Sequence, residues 1–126
     1  MQSILVIFGG VSSEYAVSLQ SAQAVLAHLD RSKFAPLMVG ITRAGRWLRY
    51  TGPVEEIGPD RWQDGSCVPC TLRLDREVRQ LLLLDGSGTA LSFDAAFPVM
   101  HGKNGEDGTL QGLLELAGVP IIGCGA

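Results

Sequence analysis

The spacing of apolar positions along this chain changes several times, and each change marks an element. Ser3 to Phe8 is a continuous β-branched and aliphatic run closed by Gly9-Gly10, the pattern of an internal parallel strand entering a tight turn. From Glu14 to about Leu29 the period becomes helical, with Val17, Leu19, Ala22, Val25, Leu26 and Leu29 on one stripe and Ser12 or Ser13 as the expected N-cap. Phe34 to Ile41 predicts a second strand. Thr42 to Tyr50 returns as a hairpin around Ala44-Gly45, with Trp47 and Tyr50 as packing anchors. Thr51 to Pro69, broken by Gly52, Pro53, Gly58, Pro59 and Gly65, lacks a period and predicts a long connection without readable chemistry.

Leu72 to Leu84, and Thr89 to Phe93 after the turn at Asp85-Gly86-Ser87-Gly88, predict a hairpin or a short edge strand with an insertion. Asp94 to Met100 reads as a strand. Leu110, Leu113, Leu114 and Ala117 then recur at helical spacing until Gly118 and Pro120 stop the helix, and Val119 to Gly123 is the last expected strand. Strands alternating with helices predict an α/β fold: an open, mostly parallel sheet with helices on both faces, Rossmann-like. Gly123-Cys124-Gly125-Ala126 is the kind of turn that leads into another helix, so further chain is expected beyond it.

The 126 residues suffice for one domain with a real core. With 10 Lys+Arg against 13 Asp+Glu the net charge is -3, and the basic residues are scattered except for Arg43, Arg46 and Arg49, which read as a solvated rim rather than an anion site. No nucleic-acid footprint, secretory leader or membrane span is expected, so the reading is a cytoplasmic protein. Three cysteines argue against a disulfide framework. Cys67-Val68-Pro69-Cys70 has redox or zinc spacing, but it lacks both a second pair and a helix start, and it reads as two reduced thiols. His28, near a helix end, reads as a surface residue.

The densest chemistry lies in His101-Gly102-Lys103-Asn104-Gly105-Glu106-Asp107-Gly108-Thr109-Leu110-Gln111-Gly112. A histidine at the end of a buried strand, followed by glycines that let backbone approach a ligand, reads as a binding loop. Glu106 and Asp107 open a helix, and capping with dipole compensation is the favoured role for Asp107. Gly9-Gly10-Val11-Ser12-Ser13-Glu14 sits where a dinucleotide loop would start, but it lacks G-x-G-x-x-G and G-K-[ST] and carries a carboxylate where a pyrophosphate would lie. Glu14 has two readings, compensation of the helix dipole or a charge-assisted grip on a substrate ammonium.

The 101–112 segment matches H-G-x-x-G-E-D-G-x-[aliphatic]-Q-G throughout and resembles the amino-terminal signature of the D-alanine:D-alanine ligases. Gly9 to Glu14, Val17-Ser18-Leu19, Gly112 to Leu116, and Pro120 with Gly123-Cys124-Gly125 are similar to the same family. The likeness covers all but roughly residues 51 to 92. It implies a pre-ATP-grasp domain, with residues 1–126 forming the amino-terminal substrate-binding part of a ligase whose central ATP-binding and carboxy-terminal catalytic domains lie outside them. Such an enzyme phosphorylates the carboxylate of one D-alanine with ATP and Mg2+, bound by the other domains, and a second D-amino acid attacks the acyl phosphate to give a peptidoglycan-precursor dipeptide. By the matching positions Glu14 and His101 are the implied catalytic residues, and Glu14, Ser18, His101 and Gly102 the implied substrate-binding ones. A homodimer is implied for the parent enzyme, and catalytic silence for this segment alone. Lys103-Asn104 is more similar to the D-serine and D-lactate ligases of glycopeptide resistance. The alternative from another class is a freestanding flavodoxin-like binding or regulatory module.

Overall fold

Strand β1 (Gln2–Gly9) is the spine of the structure, a computed structural model that describes residues 1–73, 75–100 and 106–122, without the side chains of 106–109 and 111. Its side chains alternate between two cores. Ile4, Val6 and Phe8 enter one, while Leu5 and Ile7 enter the other. Burial on both faces explains why the strand reads as an unbroken apolar run. Strands β2 (Phe34–Ile41) and β7 (Ala95–Val99) flank it in parallel, so that Phe8 lies between Gly40 and Val99.

From β2 the sheet continues through β3 (Trp47–Tyr50), β4 (Val68–Leu72), β5 (Gln80–Leu83) and β6 (Ala90–Ser92), all antiparallel, in the order β6-β5-β4-β3-β2-β1-β7. The α/β class is as expected, whereas the sheet is mixed rather than mostly parallel. Its parallel part is β2-β1-β7 together with a parallel bridge from Ala96 to Ile121. Short turns account for part of the difference: Thr42 to Arg46 and Leu84 to Thr89 reverse the chain directly, where a parallel crossover needs a dozen residues or more, whereas β4 pairs with β3 across the longer 51–67 connection.

Helix α1 (Tyr15–His28) covers the Ile4/Val6/Phe8 face and α2 (Glu106–Leu116) the Leu5/Ile7 face, so helices lie on both faces as expected. Tyr15, Ser18, Leu19, Ala22 and Leu26 form the buried stripe of α1, while Val17 is 46% exposed. The N-cap is Glu14, not either serine. Ser12 Oγ instead accepts the Glu14 N–H at 2.9 Å, ending the preceding turn. His28 is exposed in the last turn of α1, its Nδ1 2.9 Å from the Ala24 carbonyl. Helix α2 closes in a Schellman motif: Val119 N–H donates to Leu114, Gly118 N–H donates to Glu115, and Gly118 takes φ 72°. Among the described residues no helix is long and apolar enough to cross a membrane.

The 51–69 connection is the main departure from expectation. It forms a 3-10 turn at Val54–Glu56 and buries Ile57 and Trp62 completely. Trp62 packs edge-on against Phe8 (5.1 Å between centroids) and Tyr50 (6.2 Å), over Gly40, where any Cβ would strike its ring. Cys67 and Cys70 pack in opposite cores, as residues of unlike parity on an extended segment must.

Candidate functional site

Three parallel strands end together at one edge of the sheet, at Gly9, Ile41 and Val99. The chain leaving β1 turns there on Gly9 (φ 88°) and Gly10 (φ 110°), and Gly10 N–H donates to the Ile41 carbonyl at 2.8 Å. A side chain at position 9 would collide with that same carbonyl oxygen, so the turn requires glycine by both conformation and space. The turn delivers Glu14, half-buried, to the N-terminus of α1, where its side chain makes no capping hydrogen bond. The helix dipole favours a carboxylate there.

Ser18, one helical turn on, is fully buried. Its hydroxyl accepts the Gly9 N–H at 2.8 Å and donates to the Val99 carbonyl, joining α1 to the ends of β1 and β7. The donor and one lone pair are therefore committed to backbone. That geometry gives Ser18 a hold on the edge rather than an exposed contact. Val99 and buried Met100 bring the chain to this edge immediately before His101. His101 and Gly102, with Lys103 to Gly105, lie outside the described residues, as do Gly123 to Ala126. Glu106 and Asp107 are the first two residues of α2, and the reading of their carboxylates lies outside the described side chains.

Sequence reasoning missed the residues behind Glu14. Tyr15 is 1% exposed, and its hydroxyl donates to Asp60 Oδ1 at 2.7 Å while accepting the Trp62 indole N–H at 3.0 Å. The direction is unambiguous because an indole N–H only donates. Burial first, then the hydrogen bond to Asp60, holds the phenol above its ordinary pKa. Arg43 lies 4.2 Å from the Tyr15 ring centroid, a cation–π contact. Tyr15, Arg43 and Asp60, with Arg46 and Gln63, line a cavity of about 330 Å3. Arg43 and Arg46 are exposed as the rim reading expects, whereas Arg49 is half-buried on β3. No sequence signal pointed to Asp60 or Trp62, which lie in the aperiodic segment. Adjacency to Glu14 was the one clue at Tyr15.

On the opposite face two apolar cavities, of about 380 and 340 Å3, share Trp47 and Leu113. The second reaches Val11 and Met100 at the same sheet edge. Burial pushes the Cys70 thiol up to about 12 and Cys67 upward as well, so both stay protonated near neutrality. Among the described residues no group of three or more His, Cys, Asp or Glu side chains is placed to hold a metal ion.

The family model described as D-ala D-ala ligase N-terminus matches residues 3–124. The D-alanine--D-alanine ligase of Caldicellulosiruptor bescii is 43% identical over 123 residues, which cover 97% of this chain and 33% of that protein. The vancomycin/teicoplanin A-type resistance protein VanA of Enterococcus faecium is 37% identical, over 96% of this chain and 34% of its own length. Among solved structures, the VanG D-Ala:D-Ser ligase from Enterococcus faecalis superposes with a TM-score of 0.87 at 46% identity, over 96% of this chain and 35% of that one. The chain thus spans about a third of the length of these relatives. The match favours the ligase resemblance over a flavodoxin-like one.

Proposed function

From the premise that this chain belongs to the D-alanine:D-alanine ligase amino-terminal family, we propose that it supplies the first-amino-acid side of the active site of a longer ATP-dependent ligase. In this reading Glu14 holds the ammonium of the first D-alanine by charge-assisted hydrogen bonds. His101 lines the facing side of the cleft near the second amino acid, and Gly102 lets backbone approach the substrate. Ser18 acts at one remove by fixing the two strand ends.

The observation that carries the reading is the Ser18 bridge. A single buried hydroxyl binds both Gly9, at the head of the Glu14 turn, and Val99, two residues before His101. Two loops that leave neighbouring parallel strands at one edge face a common crevice.

ATP supplies the phosphoryl group that activates the D-alanine carboxylate. In this reading the nucleotide and its Mg2+ are held by parts of the ligase outside this chain. The second substrate is D-alanine, D-serine or D-lactate. The product enters peptidoglycan precursors in the cytoplasm, and the parent enzyme is a homodimer. Residues 1–126 alone release no phosphate from ATP in the presence of D-alanine.

In the full-length ligase, Glu14→Gln keeps the shape of the side chain and removes its charge. A lost charged hydrogen bond is worth about 1.5–3 kcal/mol, so KM for the first D-alanine rises roughly 10- to 100-fold. Wild-type KM and kcat in that variant overturn the assignment.

A further inference from the structure

The loop that follows the 3-10 turn ends in an arrangement ordinarily built with glycine. Arg61 N–H donates to the Glu56 carbonyl at 2.8 Å and Asp60 N–H donates to Ile57 at 2.9 Å, the paired bonds of a Schellman closure. The residue at its left-handed position is Asp60, φ 62°, the one non-glycine residue with positive φ among those described. Asp tolerates that region better than most side chains but less well than glycine. Closing the turn alone therefore does not explain a carboxylate at position 60. What it adds is the 2.7 Å hydrogen bond from the Tyr15 hydroxyl.

The same loop is fastened along α1. Gln20 Nε2 donates to the Gly58 carbonyl at 2.9 Å, and Gly58 N–H donates to Gln23 Oε1 at 2.7 Å. Tyr15 is thus gripped at its hydroxyl by Asp60 and Trp62, roofed by Arg43, and backed by the Gly9 turn. It directly follows Glu14 and is the first residue of α1.

We propose that Asp60, Tyr15 and Trp62 form a positioning device for Glu14, in which the 57–62 loop orients the first turn of α1 so that the carboxylate meets the substrate edge in one direction. The inference rests on the assignment of Glu14 to the substrate ammonium. Ser18 fixes the same turn from the side of β1 and β7, and the triad fixes it from the side of the loop. Neither Asp60 nor Tyr15 needs to touch substrate.

The test compares Asp60→Gly, Asp60→Asn, Tyr15→Phe and Glu14→Gln in the full-length ligase, reading KM for the first D-alanine, kcat and Tm. Asp60→Gly relieves the backbone while deleting the carboxylate, so Tm holds or rises while KM increases about fivefold or more, within the range known for small misplacements. Asp60→Asn keeps an acceptor and restores KM to within about twofold of wild type. Tyr15→Phe raises KM as Asp60→Gly does and lowers Tm, because the buried indole N–H loses its acceptor. Wild-type KM in Asp60→Gly or in Tyr15→Phe, with Glu14→Gln impaired, overturns the positioning role and leaves the Glu14 assignment standing. Wild-type KM in Glu14→Gln overturns both.

Discussion

The two faces of β1 are filled by different means. On the α1 face lie Tyr15, Tyr50 and Trp62, each at most 1% exposed, with every polar tip engaged: Tyr50 hydroxyl to the Pro53 carbonyl at 2.6 Å, Trp62 to Tyr15, and Tyr15 to Asp60. On the α2 face the buried residues are mainly aliphatic, among them Leu5, Ile7, Val39, Leu81 and Leu114, and two cavities open beside Trp47. Aliphatic burial is non-directional and tolerates small shifts, whereas hydrogen-bonded aromatics fix orientation. Glu14 emerges from the directional face. The α1 side accordingly sets the geometry of the sheet edge, and the α2 side contributes mostly bulk stability.

The strongest way to break this contrast is to empty each face in turn. Trp62→Ala removes the ring that Phe8 and Tyr50 pack against, at a cost of about 3–5 kcal/mol, and Leu114→Ala costs about 2–5 kcal/mol. Urea unfolding of the chain measures both. In the full-length ligase the two diverge: Trp62→Ala also removes the indole N–H that the Tyr15 hydroxyl accepts and raises KM for the first D-alanine, while Leu114→Ala leaves KM near wild type. Equal KM changes would erase the distinction between the faces.

A smaller perturbation acts on one hydroxyl. Ser18→Ala strands the Gly9 N–H and the Val99 carbonyl, both otherwise bound by Ser18 Oγ. The expected loss is about 1–3 kcal/mol. Hydrogen exchange at the Gly9 amide reports it locally, speeding up in the variant by more than the global destabilisation accounts for. An exchange rate that tracks global stability alone removes the bridge from the account of the edge.

Legibility followed the same division. β1, β2, α1, β7 and the Gly118 stop of α2 were readable because period and turn chemistry are local signals, and strands buried on both faces advertise themselves as apolar runs. The antiparallel extension was half readable. Its hairpins were visible in the turns, but the pairing of β4 to β3 across the 51–67 connection depends on long-range contact. Within that connection Ile57 and Trp62 are solitary apolar residues among Gly, Pro and charge, and nothing local says that they enter the core. The glycine turn that delivers Glu14 was legible from Gly9-Gly10. Ser18 was legible as a position but not as a bridge, since its partners lie 9 and 81 residues away. Asp60 carried no signal, because the need for an acceptor arises from the tertiary meeting of Tyr15 with Trp62.

The mildest probe uses the two thiols, one on each face. Cys67 is half-buried on the α1 side and Cys70 is 4% exposed on the α2 side. Burial raises both, Cys70 to about 12 from 9.0. A thiol whose folded pKa is raised binds its proton more tightly in the native state. Its contribution to stability is therefore present below the unfolded value and is lost as pH rises from there toward the folded value. The urea midpoint should accordingly fall between about pH 8 and pH 10, and Cys70→Ala should shrink that fall. In a Cys124→Ser background a thiol reagent at about pH 8 modifies Cys67 slowly and Cys70 only at the rate of opening. If Cys70 reacts as fast as Cys67, the aliphatic face opens without the rest of the sheet. The contrast between the faces then sharpens from one of geometry into one of local stability.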